Sequence, residues 1–184
     1  MVTAAKPKIG GAISRAPLNT TLPTTAVATL AEAFKNLGYV ADSGLSRSIA
    51  KESEDIKAWG GDTVYVLDKG KKETFKFVML NSTDPEVLKT VHGDANVSGT
   101  SLASGISVIS NNSEQTGHAY VIDMIESENT LHRIVIPNGV VTEIEDINYV
   151  DSDVLGYGVT ISAIADSSGN TTYEYMQTAA TSGT

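Results

Sequence analysis

Cysteine is absent from the 184 residues. Disulfides and thiolate metal sites are excluded, and the chain suits synthesis in a reducing cytoplasm. Long apolar runs are missing too. Nothing approaches the ~20 residues that span a bilayer, so no membrane insertion is expected. Basic residues sit near Met1, but no apolar stretch follows them, so no signal peptide is expected. Tryptophan occurs once, at Trp59, and histidine three times, at His92, His118 and His132. Positive charge nearly vanishes from the second half. Residues 1–92 hold 12 Lys+Arg against 10 Asp+Glu, whereas residues 93–184 hold Arg133 alone against 12 acids. Such a chain repels phosphate and has no basic patch with interleaved aromatics, which argues against specific nucleic-acid binding.

The usual catalytic constellations are missing as well. No serine sits in a nucleophile elbow near a histidine, so no triad is expected. His92 reads as a cation at a helix C-terminus, and His118 and His132 as a pair facing each other across adjacent strands. Asp151 and Asp153 have the spacing of cation ligands but lack the further acids and the glycine of a calcium loop. Gly60-Gly61 and Gly156-x-Gly158 lack the strand and helix of a phosphate loop. The expectation is a protein that is not an enzyme, with no cofactor and no metal.

What is present is mostly strand. The length suits one domain. Residues 1–26 read as an N-terminal arm, broken by Gly10-Gly11, Pro7, Pro17 and Pro23, with one short strand at residues 12–16. Residues 26–37 are ambiguous between a short helix and the approach to a strand. Residues 42–58 read as a long exposed loop whose last residues, Glu52–Lys57, return as a strand. Residues 62–68 and 73–80 alternate and are expected to pair as a hairpin turned at Lys69-Gly70. Residues 84–92 carry the strongest helix signal: Thr83 or Asp84 as cap, Pro85 in the first turn, Glu86 at the positive end of the dipole, and Gly93 as stop. Residues 94–116 read as a loop region with one strand at 106–109; from His118 onward the chain alternates through strands, with turns expected at 127–129, at Asn138-Gly139 and at 166–170. Residues 177–184 read as a polar tail. The expected fold is mainly β, a β-sandwich or partly open barrel with one flanking helix, a single domain over 27–176.

The run Ala33-Phe-Lys-Asn-Leu-Gly-Tyr-Val40 is followed by Glu52-Ser-Glu-Asp-Ile-Lys-Ala-Trp-Gly-Gly-Asp62, by the Phe75/Phe77 strand and by the Asp84–Leu88 helix start. In that order these parts resemble the major tail tube proteins of long-tailed (siphovirus-type) bacteriophages, over residues ~10–100 most closely. The resemblance implies a structural virion protein made in the host bacterial cytoplasm. Hexameric rings would stack into a hollow tube through which double-stranded DNA passes without specific binding. Inner strands of six subunits would join in one β-wall, and loops and arms would join ring to ring. Partners would be the chain itself and the tail terminator, distal tail and tape-measure proteins. With the chain ending near residue 184, no additional immunoglobulin-like domain is expected.

Within that reading, Asp123, Glu126, Glu143, Glu145 and Asp146 are candidate acids of the bore. Arg15, Leu45, Arg47, Lys51, Glu52, Glu54, Asp55 and Lys57 are candidate contacts between subunits or rings. Trp59 is expected to be a buried anchor, with Gly60 and Gly61 turning the chain. A β-sandwich that binds a carbohydrate or protein through its loops is the alternative from another class.

Overall fold

The computed structural model describes residues 4–8, 11–126 and 130–178. In chain order the strands are β1 (Lys6–Pro7), β2 (Ile13–Pro17), β3 (Lys35–Asn36), β4 (Ser46–Lys57) and β5 (Thr63–Met79). The helix α1 (Pro85–His92) follows, then β6 (Val97–Ser98), β7 (Ser107–Val108), β8 (His118–Glu126), β9 (Thr130–Ile144), β10 (Tyr157–Ala163) and β11 (Tyr173–Thr178). Nine strands form one antiparallel sheet in the order β3-β2-β8-β9-β10-β5-β4, with β1 added to β8 and β11 to β9. The sheet does not close into a barrel.

Alternation places the core. Tyr120 and Ile122 of β8 and Ile134 and Ile136 of β9 face one side with Phe75, Phe77, Met79, Val159 and Ile161. There α1 docks through Val87, Leu88 and Val91. Ala119, Val121 and Val135 face the other side, against Ala16 and Phe34. The helix forms where its signals lie: Asp84 accepts the Glu86 N–H at 2.8 Å. Only eight residues long, it is held by this packing rather than by its own propensity.

Several expectations need correction. Residues 12–16 belong to the core rather than to an arm, since Ala12 through Ala16 are buried and β2 pairs with β8. Residues 26–37 form no helix and only the two-residue β3, paired with β2; Phe34 and Leu37 flank it with buried side chains, and the Leu37 N–H donates to the Ile13 carbonyl at 2.9 Å. The loop assigned to 42–58 is mostly β4, paired with β5 along its length. Lys69-Gly70 does not turn the chain. It is a bulge within β5, with Gly70 at φ 114° and its N–H held by Asp68 Oδ1 at 2.9 Å. Asn138-Gly139 is likewise interior to β9. Gly139 pairs with both His118 and Ala163 and packs under Tyr120 and Ile161, where a Cβ would lie 2.7 Å from Ile161 Cγ2. The turn expected at 127–129 and the end of the tail, 179–184, lie outside the described residues; the 166–170 turn forms, with Asp166 Oδ1 accepting from Ser168 and Asn170.

Candidate functional site: a polar sheet face and a projecting hairpin

Four strands share a face turned away from the core. Registers align Glu143 of β9, Thr160 of β10, Lys76 of β5 and Ser46 of β4 in one transverse row, and Val140, Ser162, Thr74 and Ser48 in the next. Because Phe75, Phe77, Val159 and Ile161 alternate with these residues, the row is exposed on the opposite side of the sheet. Hydroxyls cross-link it: Thr160 Oγ1 donates to Glu143 Oε2 at 3.3 Å, and Thr142 Oγ1 and Ser162 Oγ lie 3.1 Å apart. Lys76 is paired with Glu145, which keeps its ammonium above the ordinary lysine range through that hydrogen bond and charge. The unbroken alternation of β4 adds Glu52 and Glu54 to this side and leaves Lys72 beside Ala50. Acids outnumber lysines, so the face is mildly acidic and rich in hydroxyls.

Both lateral edges of this four-stranded part are free among the described residues. No strand pairs β4 on its outer side, and the pairing of β8 with β9 ends at Gly139, leaving Val140–Ile144 without a neighbour there. Free edges of this length ordinarily invite pairing with another chain.

The second feature is the hairpin of β4 and β5. From residue 48 to residue 72 every side chain is exposed. Both strands therefore leave the core near the Ile49–Glu73 pair and run on as a two-stranded arm. At about 3.3 Å per residue the arm projects roughly 25–30 Å. Its tip is a tight turn: the Ala58 N–H reaches the Asp62 carbonyl at 2.8 Å, and Gly60 and Gly61 take φ values of 129° and 99° that other residues rarely adopt. Trp59 stands at this tip at 107% relative exposure. The expected buried anchor is thus a fully solvated ring. Ile56, Val64, Tyr65 and Val66 are also exposed on the arm, an apolar surface that a lone two-stranded ribbon does not usually carry.

At its root the arm is locked to the body by buried charge. Glu73 is 1% exposed and its carboxylate is saturated. Arg47 Nε donates to Oε1 at 2.7 Å, Lys71 Nζ to Oε2 at 2.9 Å and Thr171 Oγ1 to Oε2 at 2.6 Å. Burial alone would raise the Glu73 pKa; the hydrogen bonds from Thr171, Lys71 and Arg47, and the charge of Arg47, outweigh it and hold the group at about 2. Arg47 also donates to Glu174 Oε2 at 3.1 Å, and Glu174 Oε1 lies 2.6 Å from His132 Nε2. One continuous network therefore ties β4 and β5 to β11 and β9.

The residues singled out in the sequence separate accordingly. Glu143 and Glu145 share the polar face, and Asp146 follows in the coil beyond it. Asp123 is held instead by Arg133, at 2.6 and 3.0 Å, and Glu126 lies 2.7 Å from His132; both sit on β8, outside the four-stranded face. Lys51, Glu52, Glu54, Asp55 and Lys57 are exposed on the arm, with Glu54 paired to Lys69 at 2.5 Å. Leu45 packs partly against the core at the opposite end of β5 from the arm. Arg15 is not available to a neighbour: its side chain is buried and binds Thr90 and Asp94. Arg47 is likewise spent within the chain. His118 and His132 do not face each other, since their register partners are Gly139 and Met124; His118 pairs with Asp94 at 2.8 Å. His92 does lie in the last turn of α1, where burial pushes its pKa down and disfavours the charged form. Asp151 and Asp153 lie on an exposed bend, and among the described residues no group of three His, Asp or Glu is placed to hold a metal.

Sequence reasoning missed Glu73, Arg47's inward role and the exposure of Trp59. The pattern Arg47-x-Ile49 opposite Glu73-x-Phe75 carried the first signal, but only the register brings those side chains together.

The family sequence model described as phage tail tube protein matches residues 6–183. The chain belongs to the phage tail tube protein family. Among solved structures it is similar to a chain of the extracellular contractile injection system described as "PVC sheath-tube complex in extended state", at 8% identity and a TM-score of 0.41, covering 94% of this chain and 92% of that one. A search of curated proteins finds no match. As a tail tube protein the chain is a structural component of a phage tail, and its long hairpin and open sheet are the parts of it left without partners inside the subunit. Among the described residues, no helix is long and apolar enough to cross a membrane.

Proposed function

We propose that this tail tube protein assembles into hexameric rings that stack as the hollow tube of a long-tailed phage, and that double-stranded DNA passes down the bore during ejection. The observation that carries this reading is the four-stranded face with two free edges. Successive strands β9, β10, β5 and β4 are antiparallel. Because four is an even number, the β4 edge of one copy meets the β9 edge of the next in antiparallel sense. A head-to-tail ring of identical copies can then close into one continuous wall with no edges left.

The polar face becomes the bore. Glu143 and Glu145 belong to its lining, with Glu52 and Glu54 continuing it along the arm; Asp123 and Glu126, engaged on β8, do not. Hydroxyls and a modest excess of carboxylates over Lys72 and Lys76 give DNA phosphates no net cationic surface to stick to, and screening over ~8 Å confines the repulsion to the channel. The arms bridge ring to ring. Tail terminator, distal tail and tape-measure proteins would meet the ends and interior of such a tube.

Negative-stain microscopy of the purified protein tests the reading. Rings with a central hole, or tubes, are expected. A monodisperse monomer at high concentration refutes it. For the bore, Glu143→Lys is expected to leave tubes intact but to impair DNA ejection from assembled particles; normal ejection would remove Glu143 from the bore.

A further inference from the structure

The arm has a place to go, at the other end of the same sheet. Beside the C-terminal end of β5 lies an open groove of about 470 Å³. Val78, Leu80 and Val154 give it apolar walls, and Asp42, Asp146 and Asp153 line its mouth. Among the described residues no lysine or arginine lines it, and its Glu145 is paired with Lys76. The tip of the arm is complementary. Trp59 supplies a flat apolar ring and Lys57 flanks it as an exposed cation, while the turn itself is closed by the backbone of Ala58 and Asp62.

The two features cannot meet within one subunit. Along β5, Thr63 at the tip and Val78 in the groove are fifteen residues apart in a single strand, about 50 Å at 3.3 Å per residue. A copy displaced along the strand direction brings them together. We infer that the Lys57–Trp59 tip of one subunit docks into the Val78/Leu80/Val154 groove of a second copy in the next ring, with Lys57 meeting the acids at its mouth. This rests on the tube reading and names the surface that receives the arm. Docking buries a large exposed aromatic and pairs charges that form no ion pair among the described residues, the combination that marks interface anchors. It also sets the ring spacing. With barrel strands tilted by 35–45°, a separation of about 50 Å along the strand becomes about 35–40 Å along the tube axis.

The absence of cysteine makes a direct test clean. Ala58→Cys and Asn148→Cys are combined in one chain; both positions are exposed and neither supplies the docking ring or the apolar walls, so fold and docking should tolerate them. Oxidised tubes should run as a ladder of covalent multimers on a non-reducing gel, and unassembled subunits at the same concentration should not. Tubes that form while the double variant stays monomeric overturn the docking, and so does an equal ladder from Ala58→Cys with Val27→Cys, which lies at a different cleft. Charge exchange gives a second reading. Asp153→Lys should reduce tube mass at least tenfold while rings persist, and Lys57→Glu added to it should restore most of the loss; a double variant no better than the single overturns the pairing. Wild-type protein that forms neither rings nor tubes refutes the tube reading itself, and the docking with it.

Discussion

Glu73→Gln tests whether the arm is locked to the body by buried charge. Glu73 has an unperturbed value of 4.5 and is held at about 2 in the fold. A difference of about 2.5 units corresponds to roughly 3 kcal/mol of stability. The sign follows from the depression. The carboxylate is favoured by the folded state, so this stability is complete above about pH 4.5 and is lost as pH falls through about 2. The glutamine retains the shape but not the charge, and leaves Arg47 and Lys71 facing a neutral amide. At pH 7 the unassembled variant should therefore unfold with a urea midpoint lower by roughly 1.5 M, taking a slope of ~2 kcal/mol/M for a chain of this size. At pH 2 wild type and variant should differ by less than ~1 kcal/mol, because the wild-type group is by then half protonated. Acids shared by both proteins, such as Asp94 and Glu174, also held below their ordinary range, largely cancel in the comparison. A stability difference that stays constant from pH 7 to pH 2 would refute the argument, since it would assign the loss to packing rather than to charge.

Two further outcomes follow from the packing. Trp59→Ala should leave the stability of the unassembled chain within ~0.5 kcal/mol of wild type, because the ring is fully exposed there; a loss of 3–5 kcal/mol in chemical denaturation would mean that it is buried in the subunit after all. Gly139→Ala should cost about 1–3 kcal/mol by the same measurement, because the added methyl would meet Ile161 and Tyr120 at 2.7 and 2.9 Å; an unchanged midpoint would show that β9 has room there.

The positions where reading the sequence failed share a cause. Lys69-Gly70 and Asn138-Gly139 carry strong turn chemistry, yet both lie inside strands longer than the average. A glycine serves equally for a turn, a bulge or a close approach. At Gly70 the bulge needs positive φ; at Gly139 the crowding of Tyr120 and Ile161 excludes a side chain. Local sequence does not distinguish these uses. The two dipeptides therefore read as hairpin ends, and the 42–58 segment as a loop, when their partner strands in fact continue beside them. Trp59 failed for a related reason. A lone tryptophan is commonly interior, and nothing within the Glu52–Asp62 run says that the strands carrying it leave the core ten residues earlier.

By itself the sequence determined what depends on neighbours along the chain. The capped helix at 85–92 and the alternation of β8 and β9 follow from residues within a few positions of one another, and the absence of thiols follows from composition. The order of the Ala33–Val40, Trp59-Gly60-Gly61 and Asp84–Leu88 segments was enough to point to a tail tube protein. Tertiary structure alone decided what depends on register. It set Glu73 against Arg47 and Thr171, gathered Glu143 and Lys76 on one polar face while withdrawing Asp123 and Arg15 into ion pairs, and left two sheet edges open. Pairing across a sheet joins residues up to more than a hundred positions apart, and a shift of one residue reverses every face. That information resides in the assembled sheet and not in any stretch of the chain.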